Sequence, residues 1–153
     1  MSLSTGNYPP LAFSYHRFTK STAQHFFDRL RRSKARLLAD VRLNNVSQLA
    51  GFAKRDDLKW FSKELAAMDY RHMPQLAPTQ EMLDRFKKEK GEWSAYEREF
   101  LGLMETRKIE KLDPAMLDGA CLLCSEDKPH HCHRRLVAEY LRRHWGNVDI
   151  VHL

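Results

Sequence analysis

Hydrophobic residues along the chain follow two alternating periods. Short continuous apolar runs are separated by longer stretches in which apolar positions recur every three or four residues. After an irregular start, Leu11 to Arg17 reads as a short strand. Ser21 or Thr22 then caps a helix whose apolar stripe is Ala23, Phe26, Phe27 and Leu30. Its basic run, Arg29, Arg31, Arg32 and Lys34, lies in the last turn and just beyond, where cations complement the helix dipole or form a phosphate-binding patch.

The run Ala35 to Val41 is almost wholly apolar, the pattern of a strand covered on both faces in a parallel sheet. A polar loop from Leu43 to Gln48 follows. Asp56 to Met68 is helical in pattern, with Leu58, Phe61, Leu65 and Met68 on one side, and leads to a strand at Tyr70 to Leu76. Pro78 and Thr79 open a further helix that continues to Lys90. The next helix, Trp93 to Arg107, turns Tyr96, Phe100, Leu101 and Met104 inward. Ala120 to Cys124 is a compact apolar strand, Pro129 to His144 a helix and Val148 to Leu153 a closing strand. Strands alternating with helices predict one α/β domain over residues 1–153, with a mostly parallel sheet of about five strands.

Composition narrows this picture without changing it. A chain of 153 residues, 42 % hydrophobic and 30 % charged, is long enough to bury a core without help from disulfides or metal. No apolar run approaches a membrane span and the first residues lack a signal-peptide pattern, so a cytoplasmic address is expected. The net charge of +6 favours anionic partners, nucleotides and nucleic acid among them. Gly51 and Gly102 stand apart from any glycine-rich phosphate loop, so no nucleotide is expected through such a loop and no cofactor is identified.

In open α/β sheets ligands bind beyond the carboxyl ends of the strands. The residues just past each predicted strand are His16 and Arg17, Asp40 and Arg42, His72 and Gln75, and Cys124, Ser125 and Glu126. The segment Leu122 to Leu141, LLCSEDKPHHCHRRLVAEYL, is the richest, since it concentrates Cys124, Glu126, Cys132, His133 and Arg134 in a strand end, a loop and a helix start. Cys121 and Cys124 form a CxxC, but positions three apart in a strand face opposite sides, so Cys121 reads as a small buried hydrophobe and the pair as no zinc knuckle. Cys132, in the predicted first turn of its helix beside Arg134 and Arg135, meets unpaired amides and added positive charge that favour a thiolate. The charged loop Ser125 to His131 is expected to leave it partly open to water.

Three roles stay open for the Cys124 and Cys132 pair: a nucleophile with its partner, metal ligands together with His131 or His133, or core packing. Asp40 and Arg42, two apart in an extended segment, share a side and suit either a structural pair or a substrate clamp. Two functions from different classes follow. The first is an enzyme or ligand-binding domain for a small anionic or nucleotide-like substrate. Arg42, His72 and Arg134 would hold the substrate, Cys124 or Cys132 supply a thiolate, and Asp40, Glu126 or His133 handle protons. The alternative is a nucleic-acid-associated binding module with a structural Cys/His cluster.

Several motifs occur together: DVR (Asp40, Val41, Arg42), YRH with Pro74 (Tyr70, Arg71, His72), the helix start with Trp93, Tyr96 and Glu97, and the long C-terminal segment. In this order, from Tyr15 to Leu141, they resemble the uncharacterised bacterial and archaeal proteins grouped as domain of unknown function family 488. The chain departs from that pattern at Asn45 and Gln48, where many members carry Pro and Arg, and at Leu76 to Thr79, where many have a glycine-rich turn. The resemblance implies a Rossmann-like, three-layer α/β fold. It also implies a shared pocket built from Asp40, Arg42, Cys124, Glu126, Cys132, His133 and Arg134.

Overall fold

The computed structural model describes residues 11–13, 22–45, 52, 54–88, 91–124, 132–146 and 148–152. Five strands and five α-helices alternate along it: β1 (Leu11–Phe13), α1 (Ala23–Ser33), β2 (Leu37–Asp40), α2 (Arg55–Ala66), β3 (Asp69–His72), α3 (Gln80–Lys88), α4 (Trp93–Arg107), β4 (Ala120–Leu123), α5 (His133–Trp145) and β5 (Ile150–His152). The strands form a single sheet in the order β3-β2-β4-β1-β5, and every pairing is parallel. The domain is therefore α/β with a parallel sheet. The strands of four residues are β2, β3 and β4, while β1 and β5 are three-residue strands on one side.

The apolar runs become β2 and β4, and every residue of both is buried, which a strand achieves only when helices cover both faces of the sheet. Alternation sorts their side chains into two cores. On one face Leu38, Cys121 and Leu123 pack with Phe26, Phe27 and Leu30 of α1 and Leu58 of α2. On the other, Leu37, Ala39, Ala120 and Leu122 pack with Met82 of α3, Tyr96, Phe100 and Met104 of α4, and Leu136, Val137 and Leu141 of α5. The CxxC cysteines fall on opposite faces, as their spacing requires: Cys121 belongs to the first core and Cys124 to the second.

Local signals set most boundaries. Thr22 is the N-cap of α1, with its Oγ1 accepting the amide of His25 at 3.1 Å. Trp93 to Arg107 is helical over the whole expected span. The strand expected at Tyr70 to Leu76 is shorter, because Pro74 has no N–H for a ladder and instead opens a 3₁₀ turn over Pro74–Leu76. Arg107 fixes that turn from α4: one Nη donates to the carbonyls of Gln75 at 2.8 Å and Ala77 at 2.6 Å.

The inward face of α2 also differs from the expected stripe. Leu65 is 46 % exposed, and the helix ends at Ala66, after which a left-handed residue, Ala67, carries Met68 into the core. Ala23, expected on the α1 stripe, is exposed. The expected positions 14–17 of the first strand and 129–131 of the last helix lie outside the described residues.

From β2 the chain passes through α2 to β3 at one edge, whereas from β4 it passes through α5 to β5 at the other. The connections leaving these two neighbouring strands thus diverge, which is the topological position where ligands bind in open α/β sheets. The register sets Asp40 beside Leu123 there, and the amide of Val41 continues the ladder to the Leu123 carbonyl at 3.0 Å.

Ala67 holds φ +52°, a conformation that costs a residue bearing a Cβ roughly 1 kcal/mol and glycine almost nothing. Ala67→Gly is expected to stabilise the fold by up to about 1 kcal/mol, less whatever the more flexible unfolded chain takes back, read as a higher midpoint in urea denaturation. A lower midpoint would contradict this account of the α2 terminus.

Candidate functional site

The carboxyl ends of β2 and β4 gather two polar clusters, one on each face of the sheet. The first is centred on Asp40, which shares the face of Leu38 and is fully buried. Its Oδ1 accepts the Nε of Arg42 at 2.8 Å and the Arg42 amide at 3.1 Å, while its Oδ2 accepts Nη2 of Arg42 at 2.8 Å. This is a forked ion pair with both side chains at or below 3 % exposure.

Tyr70 donates its hydroxyl to the same Oδ2 at 2.5 Å and accepts from Nδ2 of Asn45 at 3.1 Å. One face of β3 thereby supplies Tyr70 and His72 together, since residues two apart in a strand point the same way. His72 Nε2 lies 2.7 Å from the Arg42 carbonyl and fixes the loop from the side. The Tyr70 phenol is pushed well above its ordinary range, first by burial and then by the Asp40 charge and the hydrogen bond to it. It therefore remains a donor at every physiological pH.

The second cluster faces α4 and α5. The sulfurs of Cys124 and Cys132 are 3.0 Å apart, and Nε of Arg134 donates to Cys132 Sγ at 2.9 Å. All three side chains are buried, Arg134 at 1 % exposure. The influences on the Arg134 guanidinium compete. Burial is the largest and disfavours its charge, but the charges of Cys124 and Cys132 and the bond to Cys132 outweigh it and raise its pKa. By reciprocity the guanidinium favours the thiolate form of the sulfur it touches.

His133 bridges the two clusters. Its Nε2 lies 2.9 Å from the Val41 carbonyl, between Asp40 and Arg42 in sequence, and its ring meets Phe100 with centroids 5.6 Å apart. Because a carbonyl only accepts, Nε2 carries the proton. The contact brings the start of α5 directly against the end of β2.

Of the residues singled out in the sequence, Asp40, Arg42, His72, Cys124, Cys132, His133 and Arg134 meet at this end of the sheet. Glu126 and His131 lie outside the described residues, as do His16 and Arg17. Cys132 is not in the first turn of α5 but is its N-cap, in extended conformation at φ −127° and ψ 122°, with no side-chain cap bond. The expectation that it stands partly open to water is corrected as well, for it is fully buried among Cys124, Arg134 and the core under α4. Tyr70 and Asn45 are the polar residues that the sequence did not place in the site. The available signal was the period-two relation of Tyr70 to His72 on a strand beside β2.

Among the described residues, no group of three or more His, Cys, Asp or Glu side chains is placed to hold a metal ion. A cavity of about 70 Å³ lies elsewhere, between α3 and α4, lined by residues that include Met82, Phe86 and Tyr96. No helix among the described residues is long and apolar enough to cross a membrane.

Together the fold and the site define a parallel α/β domain whose polar residues converge at a divergence of strand connections. The chain belongs to the family described as domain of unknown function DUF488, whose model matches residues 22–141. No curated protein and no solved structure matches it.

The Asp40 cluster yields a graded expectation. Asp40→Ala leaves the Arg42 charge buried without its carboxylate and is expected to destabilise by about 3–5 kcal/mol. Tyr70→Phe, which removes one donor from a network that keeps its ion pair, is expected to cost about 1–2 kcal/mol in urea denaturation. The Tyr70 pKa is raised on folding, so its contribution is fully present below the unfolded value of about 10 and fades as pH rises beyond it. The loss caused by Tyr70→Phe should accordingly be constant from neutral pH to about 9 and shrink above 10.

Proposed function

We propose that this domain is a thiol-dependent enzyme of Rossmann-like, three-layer form, acting on a small anionic or nucleotide-like substrate at the carboxyl ends of β2 and β4. The observation that carries this reading is the buried contact of Arg134 Nε with Cys132 Sγ, 3.0 Å from Cys124 at the point where the strand connections diverge. A buried guanidinium stays charged and demands an anion close by. A thiolate meets that demand and is at the same time a nucleophile, whereas a cysteine that merely packs needs no such neighbour.

In this reading Cys132 supplies the nucleophile and Arg134 holds it ionised. Arg134 also compensates negative charge that develops on the substrate as the sulfur attacks. The Asp40, Arg42 and Tyr70 network is a rigid wall rather than a mobile acid–base pair, since both carboxylate oxygens are already occupied. His133, held by the Val41 carbonyl through Nε2, positions the start of α5 beside the end of β2. The net charge of +6 raises the local concentration of anionic substrates.

The test is a pH titration of thiolate ultraviolet absorbance, which needs no access to the buried sulfur, on wild type, Cys132→Ser and Cys124→Ser. One thiolate per chain forming below the ordinary pKa of about 8.5, and lost in Cys132→Ser, is the expected result. If all absorbance appears only above about pH 8.5, or persists unchanged in both variants, Cys132 is a packing residue and the proposal fails. Substrate class is read separately, from calorimetric binding of inorganic phosphate and nucleoside monophosphates to the wild-type chain. Binding of either supports the anionic class, and absence of binding by both at millimolar concentration removes it.

A further inference from the structure

Cys124 and Cys132 come from two different elements, the end of β4 and the cap of α5, yet their sulfurs are in direct contact at 3.0 Å. Only one of them, Cys132, receives the Arg134 Nε–H. The Arg134 contact favours the thiolate at Cys132, and the sulfur–sulfur contact lets the pair share one proton. A disulfide needs sulfurs about 2.05 Å apart, so a further approach of about 1 Å joins them without carrying either element elsewhere. The third cysteine, Cys121, is on the opposite face of β4 and serves as an internal reference.

We propose that Cys132 and Cys124 form an intramolecular thiol–disulfide couple whose oxidant is a hydroperoxide, with Cys132 as the reacting sulfur and Cys124 as the resolving one. The couple rests on the Arg134-held thiolate of the preceding section and adds a second fate for it. The Cys132 thiolate attacks one peroxide oxygen, the O–O bond breaks and hydroxide leaves with its electron pair, so that sulfur is oxidised to a sulfenic acid. Cys124 then attacks that sulfur, the S–S bond forms, and the sulfenic hydroxyl departs as water with the Cys124 proton. In net terms one thiolate, one thiol and hydrogen peroxide give one disulfide, one water and one hydroxide. The product carries no anion, so oxidation removes the nucleophile and leaves the Arg134 charge without its sulfur partner, which switches off the chemistry of the site.

Burial decides the choice of oxidant. Both sulfurs are fully buried, which favours an oxidant as small as hydrogen peroxide over a protein thiol or a bulky disulfide. The same burial keeps the sulfenic acid beside Cys124, ahead of a second peroxide, and so favours the disulfide over further oxidation.

The experiment treats the full chain with stoichiometric hydrogen peroxide, blocks free thiols and digests after glutamate, which cuts at Glu126 between the two cysteines. Mass spectrometry without reductant should show the Cys132 peptide linked to the peptide of residues 111–126, with fragmentation between Cys121 and Cys124 placing the bond on Cys124 and the blocking group on Cys121, and full reversal by dithiothreitol. Cys124→Ser should stop at a Cys132 sulfenic acid trapped by dimedone, and Cys132→Ser should lose peroxide reactivity. Wild-type protein alone suffices if a variant does not fold. A thiolate at neutral pH with no linked peptide, or with Cys132 oxidised beyond sulfenic acid, overturns the couple and leaves the nucleophile standing. A link through Cys121 overturns the pairing. Absence of both the neutral-pH thiolate and the link overturns the couple together with the nucleophile.

Discussion

Two guanidinium groups, Arg42 and Arg134, are buried at the carboxyl end of the sheet, at 3 % and 1 % exposure, and the local structure is organised around keeping each beside negative charge. A buried cation without a close anion is among the costliest arrangements in a protein interior. Arg42 has the Asp40 carboxylate, two residues away on its own strand end. Arg134 has the sulfurs of Cys132 and Cys124, one from its own helix cap and one from β4. The first solution is local and closed, the second joins two elements.

That difference divides a saturated ion pair from a guanidinium held against two sulfurs. A carboxylate holding a forked guanidinium, a backbone amide and a phenol has little capacity left for a ligand, and its role is to lock β2, β3 and the loop after Asp40 into one geometry. A thiol is a poorer counter-ion than a carboxylate, and in the proposed function its place beside a permanent charge serves reactivity. The Cys132 cluster lies where the connections from β2 and β4 part, the topological switch point of the sheet.

Features fixed by neighbours in sequence were legible from the residues alone. The alternation of strands and helices, the Thr22 cap, the opposite faces of Cys121 and Cys124, and the shared side of Asp40 and Arg42 all follow from period and spacing. What escaped depended on partners far along the chain. Tyr70 reaches Asp40 from 30 positions away, and only the parallel register of β3 on β2 brings the phenol to the carboxylate. The burial of Cys132 escaped for the same reason: it belongs to the core that includes Tyr96, Phe100 and Met104 of α4, far off in sequence. Leu65 faces outward because the buried face of α2 runs through Leu58, Ser62 and Ala66, beside the apolar stripe its spacing suggested.

His133 shows how closely the two halves depend on one another. Its Nε2–H reaches the Val41 carbonyl, just past the end of β2. The bond thereby gives a buried backbone acceptor a side-chain donor. It also holds the first residue of α5, and so the adjacent Cys132 and Arg134, against the strand that carries Asp40 and Arg42. A histidine used in this way is constrained in tautomer, and its contact joins the β2–β4 ladder in fixing one cluster relative to the other. The placement of the Cys132 sulfur is thereby tied to the Asp40 network, although the two clusters lie on opposite faces of the sheet.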